Sequence, residues 1–337
     1  MAVSVVLAGV GLGVATGAAA DSPTTTTVPT ATGTTPTPTA PAPGPAKGSL
    51  ALYVHDVFTL GRGQVTIPDR KVQVNGTERP YVPGQRVTMR VYLGRRLVRT
   101  YKLRIRSAAG GKYGRISYPI QSPGAGNVRI VVEHVATPQL DAFTARRSLE
   151  ALDDHAGFGS SGDFVRLIQQ RLAALHLYIP QTGVYDAGTG LAIDAYHRLM
   201  RWGTSQTLDQ GTIDSLLDGK GSFAVRDPGD GRHVEGDLTN QLAALINGSH
   251  VYWIFPISSG KPSTPTILGH FHVYSRVPGY LPDGMYYSDF FYGGYALHGY
   301  NPAPDYPASH GCMRLPIADA IPAFDWLAIG DAVETYY

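Results

Sequence analysis

The 337-residue chain has one cysteine. A single thiol cannot close a disulfide within the chain, so the fold rests on packing and hydrogen bonds. Charge is also scarce, at 16% of residues, and there are only 3 Trp and 5 Met. Beyond the first twenty residues no apolar run is long enough to cross a bilayer. No Lys or Arg precedes that first run, MAVSVVLAGVGLGVATGAAA. What the chain has in quantity is 40 Gly, 25 Pro and 20 Tyr. That composition suits an extracellular, turn-rich, β-containing protein better than a cytosolic helical one.

The length allows two or three domains. Residues 1–20 are small and apolar and end in an Ala-rich stretch before Asp21. They read as a secretory signal peptide or, uncleaved, as a membrane anchor. Residues 21–47 are Thr, Pro, Ala and Gly, a semi-rigid spacer with nothing to bury. Residues 48–136 alternate apolar and polar positions between Gly, Pro and Asn turns. Six or seven short strands there predict an immunoglobulin-like β-sandwich. This segment carries 15 Lys and Arg against 4 Asp and Glu, a net +11. Two readings fit that charge: a solvated arginine-rich face, or a surface for phosphate-bearing polymers or anionic lipid headgroups; nucleic acid is not expected.

Residues 137–221 switch to helical spacing. Phe164, Ile168, Leu172 and Leu175 form one stripe, with Gly162-Asp163 as the start signal. A second helix is expected around 189–200 and a third around Ile213, Leu216 and Leu217, which together make a small three-helix bundle. Residues 222–337 return to strands, around 233–238, 242–247, 250–258, 268–276, 294–298 and 331–336. A short helix is expected from Ile317 to Ala328, broken or kinked at Pro322.

The lone Cys312 stands in Ser309-His310-Gly311-Cys312-Met313-Arg314, with His298-Gly299 upstream. A nucleophilic cysteine wants a base within reach, an acceptor to fix the tautomer of that base, and donors aimed at the oxyanion. His298 suits the base, because it lies on a separate strand. His310 is close along the chain, but shares a side with Cys312 in an extended segment. Gly311, Cys312 and Met313 can offer backbone N–H groups. Two other readings stay open: a buried, inert cysteine, and a zinc ligand. The spacing matches no usual zinc set, and His270 and His272 form at most a weak pair.

These blocks resemble the L,D-transpeptidase catalytic domain. Phe255–Pro262 and Pro265–Phe271 resemble two further stretches of that family, although Pro265-Thr266 reverses its usual Thr-Pro order. The helical segment, through Val165, Leu167, Gln169, Leu172, Gly183, Tyr185, Thr189 and Ala192, resembles a peptidoglycan-binding module; a generic bundle is the alternative. The resemblance implies a secreted, cell-wall-associated enzyme, free or membrane-anchored, which acts on peptidoglycan stem peptides without metal or cofactor. Cys312 would be the nucleophile, His298 the base and the Gly299 carbonyl its orienting acceptor. Ser309, His310, Gly311 and Met313 would form the oxyanion pocket. Arg314 would bind a substrate carboxylate or brace the loop, with Tyr286, Tyr287, Tyr292 and Tyr295 in a substrate-covering lid or in ordinary packing. Hydrolysis by an L,D-carboxypeptidase and a non-catalytic wall-binding role are the competing functions.

Overall fold

The computed structural model describes residues 44–337. The signal-peptide or anchor segment, and all of the spacer before residue 44, lie outside the described residues. Among the described residues no helix is long and apolar enough to cross a membrane.

Alternating side chains between 49 and 151 build ten strands: β1 (Ser49–His55), β2 (Phe58–Leu60), β3 (Gly63–Thr66), β4 (Lys71–Arg79), β5 (Arg86–Leu93), β6 (Arg96–Arg104), β7 (Arg106–Ala108), β8 (Tyr113–Gln121), β9 (Gly126–His134) and β10 (Phe143–Ala151). They form two sheets, ordered β1-β4-β8-β7 and β2-β3-β10-β9-β5-β6. Val72, Val74, Val87, Met89, Ile116, Ile130 and Val132 fill the space between them. The expected sandwich is present with more strands than the alternation suggested. Strands β2, β3 and β7 are only three or four residues long, too short to show a period. The expected boundary at 136 is also too early. Strand β10 pairs along its whole length with β9, so the sandwich runs to 151. Its sequence, FTARRSLEA, breaks the apolar alternation with Arg147, which hid it.

The three helices are α1 (Asp163–Ala174), α2 (Ala187–Leu199) and α3 (Gln210–Leu217). Asp186 and Asp209 cap α2 and α3, accepting from the N–H of Thr189 at 2.9 Å and of Thr212 at 2.6 Å. Asp163 does not cap α1; it stands in the first turn, where its charge favours the helix N-terminus. The buried amide of Gln169 ties α1 to the following loop. It donates to Thr182 Oγ1, Val184 O and Thr189 Oγ1 and accepts from Gly183 N–H.

The last segment contains β11 (Arg232–Asp237), β12 (Leu242–Asn247), β13 (His250–Pro256), β14 (Gly269–His272), β15 (Ser275–Tyr280), β16 (Tyr286–Tyr292), β17 (Tyr295–Gly299), β18 (Met313–Leu315), α4 (Ile317–Trp326) and β19 (Ala332–Tyr336). One sheet runs β13-β12-β11-β19-β14 and the other β15-β16-β17-β18. Helix α4 packs on β16, β17 and β18 and continues unbroken through Pro322.

Strand β12 explains how the parts join. Its residues Leu242 to Ile246 are all buried. Ala243 and Leu245 face the core between these two sheets, with Phe255, Leu297, Met313 and Leu315. Leu242, Ala244 and Ile246 face the other way, into a core shared with Ile168, Leu172, Ile193 and Tyr196 of the helices and Ile67 of the sandwich. A strand covered on both faces reads as a continuous apolar run.

Candidate active site

Strands β17 and β18 are parallel and set the site. Their register pairs Leu297 with Met313 and His298 with Arg314. Because side chains alternate along a strand, Leu297, Met313 and Leu315 point into the core. Residues 298, 312 and 314 therefore share the opposite face, and Cys312 sits just before β18.

His298 is 2% exposed, and its Nδ1 lies 2.8 Å from the carbonyl oxygen of Gly299. The Nδ1–H donates there, which leaves Nε2 as the free lone pair. Burial pulls the imidazole down to about 4, against the favourable pull of that carbonyl. The ring is therefore neutral at pH 7. Cys312 is half-buried, and its thiol points at Gly294 O, 3.5 Å away. Burial pushes this thiol up, partly offset by the Ala296 backbone and the Arg314 charge. Among the described residues no hydrogen bond joins the thiol to His298. The resting site holds a thiol and a neutral imidazole, not an ion pair.

The loop before Cys312 is pinned from several directions. Ser309 is 1% exposed; its Oγ donates to Cys312 O at 2.6 Å and accepts from Gly311 N–H at 3.0 Å. The Gly311 N–H is thus spent inside the loop. Gly311 has φ 122°, and a Cβ there would strike the ring of Tyr295. The N–H groups of Ala308 and Ser309 both donate to Ser259 O at 2.9 Å. Lys261 N–H and Thr264 Oγ1 reach Ser309 O at 3.0 and 3.1 Å. Gly260 must be glycine, since a Cβ would run into the backbone of Thr264 to Thr266. The first upstream stretch, Phe255–Pro262, therefore braces Ser309, and the second, Pro265–Phe271, supports it indirectly through Thr266, whose Oγ1 accepts from Gly260 N–H at 2.8 Å.

The other expected residues are distributed less simply. His310 is exposed, and Lys261 Nζ donates to its Nε2 at 3.1 Å. The Met313 side chain is fully buried in the core, so only its backbone can face a substrate. Arg314 stacks on Tyr300 at 4.0 Å from the ring centroid, with Nη1 3.5 Å from Ala308 O. The tyrosine segment is not a loop. Tyr286, Tyr287 and Tyr292 lie on β16, a central strand, and Tyr295 begins β17. Tyr286 packs on Tyr280, Tyr287 on Phe324, and half-exposed Tyr292 on Phe271. Only Tyr295, over Gly311, touches the cysteine loop.

Tyr300, Lys261 and the Gly294 carbonyl went unread in the sequence. Tyr300 stands edge-on to His298, with centroids 5.8 Å apart, and bridges it to Arg314. The cue was its spacing, two residues after His298.

Residues 231–335, just under a third of the chain, match the YkuD family, the L,D-transpeptidase catalytic domain. No curated protein matches the chain. Among solved structures, an L,D-transpeptidase from Xylanimonas cellulosilytica is 29% identical, covering 54% of this chain and 97% of its own, with TM-score 0.49. The catalytic domain of the E. faecium L,D-transpeptidase is 25% identical over 32% of this chain and 98% of its own, TM-score 0.29. An L,D-transpeptidase from Mycobacterium smegmatis is 12% identical over 88% of this chain and 100% of its own, TM-score 0.29.

Proposed function

Residues 231–335 are an L,D-transpeptidase catalytic domain, and from that premise we propose that the chain is an exported cell-wall acyltransferase with Cys312 as nucleophile. It joins peptidoglycan stem peptides in 3→3 cross-links or attaches a protein amine to them. The observation that carries this reading is the pairing of a half-buried lone thiol with a buried, tautomer-locked histidine on one sheet face.

The steps follow from the protonation states. With Nδ1–H held by Gly299 O, Nε2 takes the thiol proton as Sγ attacks the stem-peptide carbonyl. The carbonyl electrons move onto oxygen, where the backbone N–H of Cys312 is the donor at hand, since the Met313 N–H lies within the β17–β18 ladder. When the oxyanion collapses, the C–N bond to the terminal D-residue breaks. The imidazolium, acidic because burial opposes its charge, protonates the departing amine. A thioester remains on Sγ. An acceptor amine then loses its proton to His298 and attacks the thioester. The C–S bond breaks, and the returning thiolate is reprotonated. Arg314, held flat by Tyr300, meets a substrate carboxylate. The helical module is read as holding the glycan, and the basic sandwich as meeting an anionic polymer of the wall.

The test is mass analysis of muropeptides after incubation with the wild type and with Cys312→Ala. Cross-linked dimers that require Cys312 support the proposal. Tripeptides without dimers would make the enzyme a hydrolase, and no product from either protein, with no carbapenem adduct on Cys312, would make it a binding protein.

A further inference from the structure

The turn between β15 and β16 carries an acid that the steps above do not use. Leu281 N–H donates to Met285 O at 2.8 Å and Gly284 N–H to Leu281 O at 3.0 Å, which closes the turn. Met285 is buried and anchors it. Gly284 takes φ 88°, in the left-handed region, and a Cβ there would lie 3.3 Å from the ring of Tyr300. The turn is therefore folded down onto Tyr300. That ring stands edge-on to His298, with centroids 5.8 Å apart, and carries the Arg314 guanidinium at 4.0 Å. A single phenol ring thus separates the turn from the base.

Asp283 precedes Gly284 in this turn and is exposed. Its Oδ1 accepts from Met285 N–H at 3.3 Å, and among the described residues the carboxylate has no ion pair. Burial dominates the pKa of both His298 and Cys312, but two side-chain charges also reach both groups. Arg314 pulls each down and Asp283 pushes each up. The catalytic pair therefore lies between one cation and one anion. The anion does not suit the departing D-residue, whose carboxylate it repels. It suits the second half of the reaction. An alkyl amine is an ammonium in water, with a pKa of about 10. His298, at about 4, is too weak a base to deprotonate that ammonium. The amine must attack in its neutral form, and its nitrogen becomes cationic as the C–N bond forms. A carboxylate beside the nitrogen stabilises both the arriving ammonium and that developing charge. Water, which gives up its proton as it attacks, gains less.

We infer that Asp283 receives the acceptor amine and so favours amine over water as the group that takes the acyl chain. The inference rests on the acyl-transfer reading above. Asp283 accepts one N–H of the neutral amine, which turns the nitrogen lone pair toward the thioester carbon. As the C–N bond forms, the carbonyl pair moves onto oxygen and Nε2 of His298 takes the other amine proton. The oxyanion then collapses, the C–S bond breaks, and the imidazolium returns that proton to sulfur.

The experiment gives the full chain an isotope-labelled tetrapeptide stem as donor and rising concentrations of an unlabelled tripeptide stem with a free side-chain amine as acceptor. Mass analysis reads the ratio of mixed dimer to labelled tripeptide, that is, of transfer to hydrolysis. In the wild type this ratio should fall as salt rises. Asp283→Asn keeps an oxygen for Met285 N–H, so the turn stays closed. At low acceptor it should lower the ratio about 5-fold and lose the salt dependence, by raising the half-saturating acceptor concentration. Asp283→Glu should keep the ratio within about 2-fold of the wild type. So should Asp325→Asn, an equal charge change at an exposed position of α4. An Asn variant with the wild-type ratio would overturn the inference. So would one in which carbapenem acylation falls as far as transfer, because Asp283 would then act on the catalytic pair and not on the acceptor. Labelled tripeptide without mixed dimer from the wild type would instead remove the transferase reading, and this inference with it.

Discussion

Replacing Arg198 by Met tests whether the helices hold the cysteine loop in place. Arg198 is 6% exposed on α2, and its Nη1 donates to Gln241 O and Ile257 O, both at 2.9 Å. Its Nη2 lies 2.5 Å from Asp194 Oδ2, itself 3% exposed. From there the contacts continue. Gln241 Nε2 donates to Ser259 Oγ at 2.7 Å and its Oε1 accepts from Ser259 N–H at 2.8 Å. Ser259 O then receives Ala308 and Ser309, two links from Cys312. Arg198→Met leaves a buried carboxylate without its counter-charge and Ile257 O without its donor, while Gln241 O keeps the Ile257 N–H at 2.9 Å. Breaking a buried ion pair costs about 3–5 kcal/mol. Burial already raises Asp194 toward its neutral form, so the lower end, about 3 kcal/mol, is expected. Asp194→Asn/Arg198→Met removes the stranded charge and should recover at least about 1 kcal/mol. If the strut positions the loop, the double variant should still acylate with a carbapenem about 10-fold more slowly, equivalent to about 1.4 kcal/mol. The assay is intact-mass acylation kinetics below the unfolding transition, beside urea unfolding. A double variant that regains stability and acylates at the wild-type rate would refute the positioning role.

Other outcomes follow from the same geometry. Because His298 must be unprotonated to accept the thiol proton, acylation should hold from pH 8 to 5 and fall as pH drops through about 4; a fall centred on the ordinary value of 6.5 would contradict its burial. The depressed value also makes stability pH-dependent. Above 6.5 neither state is protonated, and between 6.5 and about 4 the unfolded chain alone binds the proton. The stability of the wild type relative to His298→Gln should therefore decline by about 3 kcal/mol as pH falls from 7 to 4, measured by denaturant unfolding. Gly311→Ala forces an L-residue to φ 122° against Tyr295; it should cost on the order of 2 kcal/mol in thermal unfolding and abolish the adduct. Gln169→Ala strands several loop groups and should cost about 2–3 kcal/mol, yet leave acylation of the folded protein unchanged.

Particular elements show what a sequence reveals. Helix α1 was legible because its stripe repeats at 4, 4 and 3, and the structure begins it at Asp163. Strand β16 was not, because its pairing with β17 slips at two bulges and YYSDFFY loses the period of two. The thiol and the two histidines could be found because the cysteine is unique. The Gly294 carbonyl could not, since any residue carries one. Nor could the Arg198 contacts, which span 43 and 59 residues and leave no local pattern.

The two-sided burial of β12 also decides how this protein can be divided. A protease cut, or a gene fusion, near residue 222 would not release a soluble enzyme. It would turn Leu242, Ala244, Ile246, Val251 and Ile254 toward water, a patch with the makings of an aggregation surface. Helices and catalytic sheets should accordingly melt in one cooperative transition. In recombination, too, they are inherited as a pair: a module that supplies half of another's core cannot be exchanged without a replacement for that half.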